Sequence, residues 1–174
     1  MKPQTNETAP YYFVYIDLVP DGDIVDVLEN QLEETANFLS GISEEKSLER
    51  YETDKWSLRE MLNHVNDGER VFAFRALWFA RGFAEPLPSF DQEIGVKGAE
   101  ADQIPWATLV EEFRLVRQST LAFLRTLPAG AWDRTGIASD NPFTVRALAY
   151  IIAGHVKHHT NVIRDRYLST AETN

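Results

Sequence analysis

The stretch Ile151-Ile152-Ala153-Gly154-His155-Val156-Lys157-His158-His159 carries three of the chain's four histidines within five residues. Around it, Val145, Leu148, Ala149, Ile152, Val156, Val162 and Ile163 recur at helical spacing and mark one apolar stripe. Thr144 has the side chain of an N-cap, so a helix is expected from Thr144 to Leu168. At 100° per residue His155 and His159 differ by only about 40°, stand one turn apart, and fall inside the stripe. His158 falls roughly 110° from the stripe's centre. Helical phase therefore splits the cluster into an inward pair and an outlying residue.

Outward from this helix, three more stripes of the same period appear. Ile24, Val27, Leu28, Leu32, Thr35, Phe38, Leu39 and Ile42 predict a helix over Asp21 to Ser40, ended by Gly41. Ser57 and Glu60 have the spacing of a capping box and open a second helix that runs to Arg81. Its stripe is Leu58, Leu62, Val65, Phe72, Ala76 and Phe79, with His64 at the flank and Glu69 near the centre. A carboxylate at that position needs a partner, because an unpaired buried charge costs several kcal/mol or becomes protonated. A core salt bridge with an arginine is one reading of it. Phe74, Leu77 and Trp78 make the opposite side of the same helix apolar, which a second subunit could cover as a homodimer.

Gly82 to Gln103 is long for a helix connection and reads as a crossover along a bundle or as a lid. Pro105 then opens a helix with Leu109, Phe113, Val116, Thr120, Phe123, Leu124 and Leu127 on its face, closed by Pro128. Ala129 to Pro142 reads as turns. The expected architecture is all-α: a four-helix bundle in one domain over residues 1–174, with residues 1–10 a flexible lead and 169–174 a tail.

Composition narrows the function. A chain of 174 residues with 44% apolar residues, ten Phe and four Trp can bury a core. Seventeen basic against 27 acidic residues, a net charge of −10, argue against nucleic acid and against anionic membrane surfaces. There is no cysteine, hence no disulfide, no thiolate ligand and no protein-borne thiol nucleophile. The first twenty residues have neither a signal-peptide core nor a spanning helix, so a cytoplasmic protein is expected.

Two inward imidazoles one turn apart, joined by a third from another helix, suit a divalent metal with a position left open. His64 is the available third residue. The competing reading makes all three hydrogen-bonded core or pocket histidines. Val156 follows His155, so the HExxH glutamate of zinc peptidases is absent.

Lys55-Trp56-Ser57-Leu58-Arg59-Glu60 leading to His64 and Glu69, then Thr144-Val145-Arg146-Ala147-Leu148 leading to Gly154-His155-Val156-Lys157-His158-His159, resemble the DinB superfamily, also called the damage-inducible or YfiT-like family. The entry Tyr15-Ile16-Asp17-Leu18-Val19-Pro20-Asp21-Gly22-Asp23 is similar to members of it as well. The resemblance spans Tyr12 to Tyr167. It implies an up-down-down-up bundle with a long crossover between the second and third helices. It also implies a metal triad at His64, His155 and His159, holding Zn or Ni, with His158 and Glu69 as pocket residues or supports of a ligand. Some members transfer groups with low-molecular-weight thiols such as bacillithiol or mycothiol. A thiol-dependent transferase acting on a small-molecule substrate is the first expectation. A non-catalytic, stress-associated metal-binding bundle and a metal-dependent hydrolase are the alternatives. The catalytic residues themselves stay unassigned.

Overall fold

The computed structural model of the chain describes residues 1–169. A short helix α1 (Phe13–Ile16) precedes α2 (Ile24–Ser40), α3 (Leu58–Ala80), α4 (Gln92–Ala99), α5 (Trp106–Leu124) and α6 (Val145–Val162). Strands β1 (Thr135–Ala138) and β2 (Asn141–Thr144) pair antiparallel between α5 and α6. The expectation of a purely α chain is therefore corrected: the described residues are mostly helical, with six α-helices and a small sheet.

Local chemistry sets the helix ends. The Asp23 carboxylate accepts from the Val25 and Asp26 amides, so α2 begins at Ile24 rather than Asp21. Ser57 and Glu60 form the expected reciprocal capping box of α3. Thr144 Oγ1 accepts from the Ala147 amide at 2.9 Å and starts α6. The last turn of α6 widens into a π-helical segment over Ile163–Tyr167, where an α-helix was expected.

The four long helices enclose a core that includes Leu28, Leu39, Leu62, Phe113, Leu148 and Ile152. Their pairings fix the relative directions. Arg59 donates to the Ile104 carbonyl and Asn66 to the Leu109 carbonyl, so α3 and α5 run the same way. Gln31 donates to the Ala153 carbonyl and Arg164 lies over the Phe38 ring, so α2 and α6 run together. Trp106 Nε1 reaches the Leu39 carbonyl and Tyr167 the Trp56 carbonyl, which sets α2 against α5 and α3 against α6.

The segments between helices are more ordered than the sequence suggests. The hairpin turns at Ser139 and Asp140, both at positive φ (49° and 59°), as a two-residue hairpin turn with strand-matching twist requires. Thr8 bridges to Phe143 on one side of it and Leu87 to Ala138 on the other. The lead expected to be flexible is held where Glu7 accepts from Thr144 Oγ1 at 2.7 Å and from Arg146 at 3.0 and 3.1 Å. Of the expected tail, only Ser169 falls within the described residues. The connector contains α4, capped by Asp91, which Gly95 and Gly98 conceal from a propensity reading. It also returns over Trp78, whose ring stacks on Phe83 at 4.1 Å. Part of the apolar side of α3 is thus covered by its own chain, while Phe74 and Leu77 stay exposed.

Candidate metal centre

His64 on α3 meets His155 and His159 on α6. The Nε2 atoms of His64 and His155 are 3.0 Å apart, those of His159 and His155 are 3.1 Å apart, and one ligand atom from each ring lies within 4.8 Å of the others. Glycines make this approach sterically open. A Cβ at Gly68 would stand 2.8 Å from His155 Cε1, so the glycine lets the His155 ring lie against α3 where any side chain would displace it. A Cβ at Gly154 would stand 2.1 Å from the Tyr15 carbonyl oxygen. That contact lodges α1 on α6 and brings the Tyr15 ring edge-on to His155 at 5.5 Å. The Trp56 ring covers His64 at 4.9 Å.

Burial controls the protonation of the cluster. It pushes His64 down to about 4, with the neighbouring charge of His158 adding to the effect. Burial likewise pushes His159 down to about 3, and His155 falls well below its ordinary value through burial and the three surrounding histidines. All three are neutral at pH 7, the state in which an imidazole lone pair binds metal.

The residues fit a divalent ion. Metal–nitrogen bonds of about 2.0–2.1 Å in a tetrahedral arrangement separate the donor atoms by roughly 3.3 Å, close to the separations here. Hydrogen bonding among the rings does not satisfy the cluster, because His155 Nε2 has one in-plane site yet faces both His64 Nε2 and His159 Nε2. Three imidazoles favour borderline ions such as Zn, Ni, Co or Cu over Mg and Ca.

The other two residues singled out in the sequence stand apart. His158 is half-buried, with the Tyr15 ring 5.4 Å away, and faces the flank of the cluster. Glu69 does not orient a histidine. It accepts a bidentate pair from Arg117, Nε to Oε1 at 2.8 Å and Nη2 to Oε2 at 2.9 Å. Arg117 Nη1 goes on to the Leu28 carbonyl and Gln31 Oε1, and Gln31 closes the network on the Ala153 carbonyl. Of the two readings of Glu69, the core salt bridge is the one observed.

A cavity of about 140 Å³ opens beside His64 and His155. Gly68, Val71 and Phe72 of α3 form one wall, and Tyr11, Tyr12 and Tyr15 another. Arg75, Ser139, Phe90 and Gln92 line the rest. Burial pushes the Tyr12 and Tyr15 hydroxyls up, so both remain protonated donors at pH 7. The sequence reading did not assign these tyrosines or Arg75. The signal for the first was the aromatic run at Tyr11 to Tyr15. Arg75 lies eleven residues beyond His64, within about 20° of the same helix face.

The profile of the DinB superfamily matches residues 28–163, and the chain belongs to that superfamily. No curated protein sequence matches it. Among solved structures it is similar to YfiT from Bacillus subtilis, described as a probable metal-dependent hydrolase with an unusual four-helix bundle topology. The TM-score is 0.68 at 14% identity, over 94% of this chain and 92% of that one. Among the described residues no helix is long and apolar enough to cross a membrane.

Proposed function

We propose that this protein is a divalent-metal-dependent enzyme in which His64, His155 and His159 hold Zn or Ni and a low-molecular-weight thiol is the nucleophile of a transfer reaction. The observation that carries the metal part is the convergence of three buried, neutral imidazoles whose Nε2 atoms face one another. A four-helix, up-down-down-up course is supported by the helix pairings above, with α3 and α5 parallel.

A bound divalent ion with three neutral ligands keeps its full charge and lowers the pKa of a thiol or water placed beside it. The chain's own contribution is placement. Trp56, Phe72 and Tyr15 pack around the imidazoles and exclude water from them. The tyrosine hydroxyls offer hydrogen bonds to a substrate in the adjoining cavity. No Asp or Glu lines that cavity among the described residues. A thiol begins near a pKa of ~8.5 and water near ~15.7, so a bound metal could ionise either but would need to shift the thiol less. That difference, together with the lack of a cavity carboxylate to relay protons in hydrolysis, favours thiol transfer. Hydrolysis is the second reading, supported by the likeness to YfiT, with His158 the imidazole beside the triad that could move a proton.

The test supplies an activated aryl chloride and a panel of small thiols to zinc-loaded and chelated protein. Transfer forms the carbon–sulfur bond and breaks carbon–chlorine, releasing chloride and the thiol proton. Metal-dependent adduct formation with at least one thiol is expected. Equal rates in chelated protein contradict the mechanism. Ester cleavage without thiol would establish the second reading instead, and neither activity in zinc-loaded protein would favour a non-catalytic metal-binding bundle.

A further inference from the structure

Arg75 is 4% exposed, yet it pairs with no carboxylate among the described residues. Its Nη2 donates to the Pro88 carbonyl at 3.0 Å and to Ser139 Oγ at 2.9 Å, both neutral. The Tyr12 hydroxyl lies beside the guanidinium and is also neutral. A buried cation without a counter-charge costs several kcal/mol, and such groups are ordinarily paired. The other two buried arginines follow that rule, Arg117 with Glu69 and Arg59 with Glu44. Tying the connector to the hairpin explains two hydrogen bonds of Arg75 but not the charge, since a neutral donor could make them; the Phe72 ring, 5.9 Å from the guanidinium carbon, adds a weak cation–π contact but no counter-charge.

The surroundings are unusual for this chain. It carries 27 acidic against 17 basic residues, yet among the described residues no Asp or Glu lines the cavity that Arg75 shares with His64 and His155. Gly68 lies between the two ends on α3 and adds no side chain to the wall. The volume, about 140 Å³, is that of roughly five water molecules in the liquid, at about 30 Å³ each. From this we infer that the cavity binds a small anionic substrate, with Arg75 as the docking group for a carboxylate and the substrate's other end directed to the imidazoles. The inference rests on the metal-centre reading for the second half of that statement. The anion would supply the missing counter-charge, and the guanidinium would offer it charge-assisted hydrogen bonds. Arg75 is a specificity-determining residue on this account, since a neutral analogue would leave its charge unpaired.

Propionate and propionamide, nearly isosteric and of five heavy atoms each, separate charge from shape. Both are titrated by NMR into zinc-loaded wild type, chelated wild type and Arg75→Met. Propionate is expected to bind wild type in the roughly millimolar range and to perturb resonances of cavity residues. Binding should be about tenfold or more weaker for propionamide and for Arg75→Met, with zinc uptake by the variant unchanged. Chelated wild type should still prefer propionate, which locates the preference at Arg75 rather than at zinc. Equal binding of the two probes, or undiminished propionate binding in a folded Arg75→Met, would overturn the inference. Should Arg75→Met fail to fold, the probe comparison in chelated wild type decides the matter alone. Failure of the metal reading is seen separately, as zinc uptake that survives His155→Ala/His159→Ala.

Discussion

Five residues apart on α3, His64 and Glu69 each enter a buried polar cluster, and the two clusters are built on opposite principles. Helical geometry turns Glu69 about 140° from His64, so Glu69 faces Arg117 while His64 faces α6. In the Glu69 cluster each charged group meets its complement: carboxylate with guanidinium, and the guanidinium's third nitrogen with Leu28 and Gln31. In the His64 cluster three Nε2 atoms converge with one in-plane site each, so the rings cannot satisfy one another. A satisfied buried network holds helices together. An unsatisfied one of metal-ligating type is where a ligand belongs.

The largest effect expected from breaking this contrast is in the satisfied cluster. Arg117→Met strands the Glu69 carboxylate and should destabilise the protein by about 3–5 kcal/mol in urea denaturation. Adding Glu69→Leu should recover much of that loss. No recovery would mean that Arg117 acts through packing rather than charge.

The histidine cluster should respond to acid. The unfolded chain takes up protons near pH 6.5, while burial holds the folded imidazoles of His64 and His159 near 4 and 3. Metal-free protein should therefore have its full stability above about pH 6.5. Below that it should lose about 1.4 kcal/mol per pH unit for each such histidine, until the folded values are reached. Denaturation curves between pH 7 and 5 check this: His155→Leu/His159→Leu should reduce the dependence to the part due to His64, and adding His64→Leu should flatten it. An undiminished slope in the triple variant would place its origin elsewhere.

A smaller effect should separate position from presence. Gly68→Ala puts a Cβ 2.8 Å from His155 Cε1 and must displace that ring. The better helix propensity of alanine, about 1 kcal/mol, offsets part of the crowding. Stability should move little while zinc affinity drops by about tenfold, as read by competition with a chelator. Unchanged affinity would show that the ring position is not critical.

The contrast also explains what could be read from the sequence. The phase of His155 and His159, and the place of His64 at the flank of its stripe, follow from 3.6-residue periodicity, which the long helices obey. That Glu69 needed a partner was equally legible, but the choice of Arg117 depends on α3 and α5 running side by side, which no local pattern specifies. The hairpin was not legible: β1 and β2 are four residues each, Pro142 lies within β2, and the turn uses Ser139-Asp140 without a glycine. Arg75 and the tyrosines escaped notice because their meaning arises only when the lead, connector and hairpin close over the end of α3.

The central claim is that His64, His155 and His159 form a metal centre. Elemental analysis of the purified protein and of His155→Ala/His159→Ala tests it directly, with circular dichroism to establish that both are folded. The wild type is expected to carry close to one divalent ion per chain and the variant almost none. Equal metal content in the two folded proteins would contradict it.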